Sequence, residues 1–360
     1  MPARVVSFIN LKGGVGKTPL ALTIGEILAF ALNKKVLLID MDSQCNLTSA
    51  LVPGDEIHRL NEEKKTIYHL FKNHLDGKDW PIDEAITENC SNIFDNKNLS
   101  TIISSISMGE FDEELLKRHW DKKDIPKDLH FLLKNKIQDI RNRFDYIIID
   151  CPPSLSLLTS SAIIASDYFI VPVIPEHLSL QGYNLIKNRI FGLKERYGEK
   201  EITIDLAGII FNRVDIRRKK THLYILEHYY IKRIELELAL KGYEDDVKKK
   251  EILAEWDKFA GDFLGHYLED DECRRIFKNW VGNLKPLYNV TEFKYPSSPE
   301  PRDELKVTEN KWVNVKFKYG YQKPPCKNPQ SEIINPSHNS TYNLYSRLSA
   351  LTREFIEKCP

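Results

Sequence analysis

Apolar residues recur along this chain in two rhythms. Short runs at 5–9, 36–39, 146–149 and 168–173 are apolar almost throughout. Such runs read as strands buried on both faces of a sheet. Between them lie stretches with apolar positions three and four apart, the spacing of an amphipathic helix. In the first of these, 20–32, Leu20, Ile24, Ile27, Leu28, Ala31 and Leu32 fall on or near one face. Similar helices are expected over 129–143, 155–165 and 178–197, and a further strand over 202–211. Strand and helix alternating in this order predict an α/β fold, with a doubly wound, mostly parallel sheet flanked by helices. Residues 53–142 read as a helix-rich insertion, with helices over 66–75 and 112–119 and a β-branched strand over 99–106.

After Val214 the alternation stops. A basic run, Arg217-Arg218-Lys219-Lys220, opens a charged, aromatic, helix-rich stretch over 221–288. Residues 294–330 are proline-rich and read as loops with one strand near 313–319. A last helix is expected over 341–358, with Leu344, Leu348, Leu351 and Phe355 on one face. It carries Glu354 and Glu357 and is not notably basic, so it reads as a core-packing helix rather than a membrane-surface one.

Composition narrows the field only a little. The 360 residues are 42% apolar and 29% charged, ordinary for a globular protein with a large core. Lys plus Arg and Asp plus Glu are both 52, so any attraction to nucleic acid must come from a local patch. The six cysteines are scattered, with no zinc-like or C-x-x-C spacing, which suits reduced thiols and a cytoplasmic setting. No apolar run reaches the roughly 20 residues of a membrane span.

The strongest chemical signal lies between the first strand and the first helix. Asn10-Leu11-Lys12-Gly13-Gly14-Val15-Gly16-Lys17-Thr18 stands where a phosphate-binding loop stands, after a strand and before a helix. Glycines let the backbone curl its N–H groups inward around an anion, and the helix aims its positive end at the same point. Gly13, Gly14, Val15, Gly16, Lys17, Thr18 and Pro19 are therefore the candidate nucleotide contacts. Lys17 would reach the β- and γ-phosphates, and the Thr18 hydroxyl would ligate Mg²⁺. Pro19 is tolerated because a first-turn N–H has no helical partner to lose. The ordinary loop pattern would place a glycine at position 11; here Leu11 occupies it and Lys12 follows. Two further strands end in carboxylates, Asp40 and Asp42 after the second and Asp150 after 146–149. Ligands of open α/β sheets bind at the carboxyl ends of the strands, so these acids point at the same crevice.

Taken together these residues resemble the ParA/MinD family of deviant Walker A P-loop ATPases, and its Soj-like ParA branch in particular. The loop is similar to the family's K-G-G-x-G-K-[ST] signature. VLLIDMDSQCNL at 36–47, FDYIIIDCPPSL at 144–155, VPVIPEHLSLQG at 171–182 and GIIFNRVD at 208–215 are similar to its later motifs. The resemblance implies ATP and Mg²⁺ as cofactors, with catalytic roles for Lys12, Lys17 and Asp42. Lys12 corresponds to the signature lysine that crosses to a partner's nucleotide, and Asp42 to the residue that positions the attacking water. Asp40, Asp150 and Thr18 correspond to the Mg²⁺ shell, and Asn212 to an adenine contact. Ser43 and Cys45 replace a common Pro and Gly, so the loop after Asp42 is expected to differ in shape.

The division implied is an ATPase core over 1–215, a segment of unknown role over 216–330 and a C-terminal helix region over 331–360. The expected activity is slow ATP hydrolysis raised by a ParB-like adaptor or another activating protein. It would come from a homodimer formed with ATP that partitions DNA or positions cargo in the cytoplasm, on the nucleoid when bound to DNA. Arg213, Arg217, Arg218, Lys219 and Lys220, joined by Lys248, Lys249 and Lys250, form the candidate patch for non-specific DNA. The alternative is a regulatory ATPase of the same descent, gating a protein complex without carrying DNA.

Overall fold

The computed structural model describes residues 2–90, 97–121, 126, 128–174, 177–213, 247 and 350–360. The expected elements within 214–246 and 248–349 lie outside the described residues, as do Leu344 and Leu348.

Seven strands form one sheet in the order β3-β4-β2-β5-β1-β6-β7. They are β1 Arg4–Phe8, β2 Val36–Asp40, β3 Ile86–Thr87, β4 Leu99–Ile102, β5 Tyr146–Asp150, β6 Tyr168–Val173 and β7 Asp205–Phe211. Every pairing is parallel except that of β3 with β4. The α/β, mostly parallel architecture expected from the apolar runs is the one present. The strands β1, β2 and β5 at its centre bury both faces, and their side chains alternate between two cores. Val5, Leu37, Ile39, Ile147 and Ile149 join one core; Val6, Phe8, Val36, Leu38 and Ile148 join the other.

The helices are α1 Lys17–Glu26, α2 Asn46–Leu51, α3 Gly54–Glu62, α4 Ile67–Leu75, α5 Met108–Trp120, α6 Leu132–Ile140, α7 Leu157–Ala165 and α8 His177–Tyr197. α1 begins three residues before the expected apolar stripe, and Pro19 sits in its first turn without breaking it. It widens into a π-helical turn, Ile27–Ala31, closed by Leu32 N–H on the Ile27 carbonyl at 3.2 Å and by Asn33 at φ +56°. β4 is shorter than expected because Ser104 N–H leaves the ladder and donates to Thr48 Oγ1 at 2.9 Å. Both β3 and β4 fall inside the stretch 53–142, which therefore adds two strands to the core sheet. The two-residue β3 is too short to carry a sequence period.

The last helix, over 350–358 in the described residues, lies on the same core as α1. Leu351 and Phe355 are fully buried, and the Phe355 ring meets Tyr146 at 5.5 Å between centroids. Tyr146 Oη donates to the Cys359 carbonyl at 3.3 Å, and Arg4 Nε donates to the Pro360 carbonyl. This is the core-packing role expected of Leu351 and Phe355. Among the described residues no helix is long and apolar enough to cross a membrane.

Candidate functional site

The glycine-rich loop leaves β1 and is fastened before it turns. Asn10, fully buried, donates from Nδ2 to the Pro172 carbonyl of β6 at 2.7 Å and accepts Lys12 N–H on Oδ1 at 2.9 Å. A β-carbon at Gly182 of α8 would stand 2.8 Å from that same Oδ1, so α8 reaches the loop only because residue 182 has none. Gly14 and Gly16 adopt φ of +72° and +91°, the left-handed region where a side chain is strained. On its far side the loop meets the end of β7. Asn212 Nδ2 donates to the Val15 carbonyl and Arg213 Nη1 to the Gly14 carbonyl, each at 2.7 Å.

Lys17 opens α1 with its side chain buried, and its Nζ donates to the Asn10 carbonyl at 3.0 Å. Burial lowers its pKa, and the charge of Asp150 opposes that most. Thr18 Oγ1 donates to Asp150 Oδ2 at 2.5 Å, joining the first turn of α1 to the end of β5. The other Asp150 oxygen, Oδ1, is buried and has no hydrogen-bond partner among the described residues. Burial pushes the Asp150 carboxyl up to about 8, with the nearby Asp40 charge adding to it and the Thr18 hydroxyl and Lys17 opposing it.

A raised carboxyl pKa favours the protonated folded state. The stability it supplies is therefore full below the ordinary value of 3.8 and lost as pH rises to about 8. Asp150→Asn is expected to remove this pH dependence from the nucleotide-free protein, because an amide has no proton to lose in that range. Thermal melts from pH 5 to 8 check this: the wild-type decline should flatten in the variant, and an unchanged slope would refute the assignment. Asp40 acts in the same sense over a lower window and remains in both proteins.

Asp40 ends β2 and is fully buried. Its Oδ1 accepts Asp42 N–H at 3.1 Å, and its Oδ2 accepts Thr48 N–H at 2.8 Å and Thr48 Oγ1 at 2.7 Å. Burial raises it to about 6 against these three bonds. Asp42, half-buried, accepts Gln44 N–H on Oδ1 at 3.0 Å. The turn that follows puts Cys45 at φ +53°, ψ +31°, with its N–H on the Asp42 carbonyl at 2.9 Å. Cysteine thus adopts at 45 a conformation that suits glycine, at a cost of roughly 1–2 kcal/mol. Its thiol is pushed up to about 12 by burial, with the nearby Asp40 charge adding to it.

The structure thus brings Lys12, Gly13 to Pro19, Asp40, Asp42, Asp150 and Asn212 to one end of the sheet. Arg213 is there too, on the loop. Arg217, Arg218, Lys219 and Lys220, with Lys248 to Lys250, lie outside the described residues. Sequence reasoning quotes Asn10 and Gly182 within motifs but gives no role to them or to Thr48, whose work is to hold others in place. The one available signal is an asparagine in the residues linking an apolar strand to a glycine loop.

A family model described as an AAA domain matches residues 3–204. The sporulation initiation inhibitor protein Soj of Bacillus subtilis is 32% identical over 216 residues, which cover 59% of this chain and 74% of Soj. The chain belongs to the ParA/MinD family of P-loop ATPases, in its Soj-like branch. A second ParA relative, the virulence plasmid protein pGP5-D of Chlamydia psittaci, is 32% identical over 70% of this chain and 85% of its own length. An ATP complex of Cyanothece McdA, solved with a substituted chain, shares the fold at 18% identity, with a TM-score of 0.50 over 89% of this chain and 98% of that one. Membership is legible in the loop together with the carboxylate-ended strands.

Proposed function

We propose that this chain is an ATP-hydrolysing dimeric switch that partitions DNA or positions another cargo. The observation that carries the reading is the Thr18–Asp150 pair beside Lys17, with the buried Asp150 Oδ1 left without a partner among the described residues. A carboxyl oxygen in that position, ionised once a cation displaces its proton, fits a group directed at a hydrated cation, as a strand-end aspartate in a phosphate-loop site is. Bound Mg²⁺–ATP supplies the transferable phosphoryl group and neutralises part of its charge. The backbone N–H groups of Gly13 to Gly16 would hold the phosphates, with Lys17 on the β- and γ-oxygens. Thr18 and Asp150 would hold Mg²⁺, with Asp40 toward the same shell and keeping the β2 end in register with them, and Asn212 would contact the base. Asp42 would orient the attacking water, and Lys12 would reach the nucleotide of a second copy. Hydrolysis would then release the dimer, slowly unless a ParB-like or other partner accelerates it.

The test uses the full chain. Phosphate release is measured, and binding to unrelated duplex DNA is followed with ATP, with ADP and without nucleotide at two salt concentrations. ATP-dependent binding that weakens steeply with salt is expected, and Lys17→Ala should remove it. Hydrolysis without DNA binding in any state would favour the regulatory alternative. A chain that neither binds nor hydrolyses ATP would refute both.

A further inference from the structure

Consecutive residues at the end of β7 hold consecutive carbonyls of the phosphate loop. Arg213 Nη1 donates to the Gly14 carbonyl and Asn212 Nδ2 to the Val15 carbonyl, both at 2.7 Å. In a trans peptide unit the carbonyl and the following N–H point in opposite directions, and no peptide bond among the described residues is cis. With the Gly14 oxygen fixed toward Arg213, the Val15 N–H must face away from it. With the Val15 oxygen fixed toward Asn212, the Gly16 N–H must do the same. Those are two of the N–H groups that a phosphate would need. Asn212 is itself locked, since its Oδ1 accepts Arg213 N–H at 2.9 Å and its N–H donates to the Val173 carbonyl at 2.8 Å. Arg213 also keeps φ at +53°, a strained value for a residue with a side chain, which persists only where the surroundings enforce it.

We infer that Arg213 is a positioning residue of the nucleotide site. With Asn212 it sets the loop's N–H groups toward the phosphates before nucleotide arrives, and it is not primarily a DNA contact. This rests on the nucleotide-binding reading above. Pre-orientation acts on ground state and transition state alike, so its loss should weaken binding and spare turnover.

The experiment compares the full-length wild type, Arg213→Ala and Arg213→Lys. It uses fluorescent ADP and ATP analogues with Mg²⁺ for Kd, steady-state phosphate release for kcat and KM, and duplex DNA binding. Arg213→Ala should raise Kd and KM about tenfold, as expected for one charged hydrogen bond, and leave kcat within about threefold. Arg213→Lys still has a charged donor and should fall within about threefold of wild type. Should the alanine variant fail to fold, the lysine variant carries the test through its smaller, same-sign shift. Unchanged nucleotide affinity in Arg213→Ala, with DNA binding lost, would overturn the inference and return Arg213 to the DNA surface. So would a kcat that falls with KM unchanged. A wild type that binds no nucleotide would instead defeat the proposed function, a result distinct from either.

Discussion

Lys12→Ala is expected to lower ATP hydrolysis by about 10³-fold or more and to abolish ATP-dependent dimerisation, while each chain still binds nucleotide. Lys12 begins the glycine turn, and its backbone N–H is held by Asn10 Oδ1 at 2.9 Å. The backbone position is thus fixed by Asn10, and substitution of the side chain leaves that bond intact. Lys17 is turned into the loop's own base, where its Nζ meets the Asn10 carbonyl. Lys12 stands five residues earlier, at the entrance of the loop, and would supply its charge to a partner's nucleotide. A cation supplied in this way to a transferred phosphoryl group is worth ~10³–10⁵ in rate. Phosphate release and light scattering with Mg²⁺–ATP check the two effects together. A Lys12→Ala protein that still dimerises on ATP and hydrolyses it normally would undo the assignment.

Asp42→Ala should bind ATP and fail to turn it over, with a loss of about 10²–10⁴ in kcat, and should accumulate as a dimer. The carboxylate sits two residues beyond β2, half-buried, on a turn whose shape rests on Asp40 and on the left-handed Cys45. Asp40 is fully enclosed, with both oxygens occupied by backbone and hydroxyl donors. Asp42 is thus the acid of this pair that remains near solvent and an incoming water. Sedimentation with ATP and with ADP would separate a trapped dimer from a chain that cannot bind. Wild-type turnover in the variant would show that another group positions the water.

The central strands are legible in the sequence because burial on both faces leaves no polar position to blur them. Val36 to Ile39 and Tyr146 to Ile149 need no periodicity argument, only their ends. The loop is legible because Gly14 and Gly16 occupy conformations that other residues avoid, so their identity carries geometry. The glycine to which sequence reasoning assigns no role, Gly182, makes its contribution across the fold, against an oxygen of Asn10 far earlier in the chain. No local pattern records such an approach. Arg213 illustrates the same limit. In sequence it belongs with a run of basic residues, and no local pattern records that in the fold its Nη1 donates to the Gly14 carbonyl. At position 45, where the resemblance would put a glycine, the cysteine takes a left-handed conformation with its N–H on the Asp42 carbonyl, a geometry that its identity does not announce.

The C-terminal carbonyls of Cys359 and Pro360 are held at Tyr146 and Arg4, the first residues of β5 and β1. Thr18 and Asp150 meet at the other end of β5. At ~3.3 Å per residue, the steps along that strand separate the two rims by ~13 Å. A dye attached at position 360 would thus ride on the rim opposite the phosphates. Energy transfer between two such dyes would report when chains pair and part, with the nucleotide face left untouched.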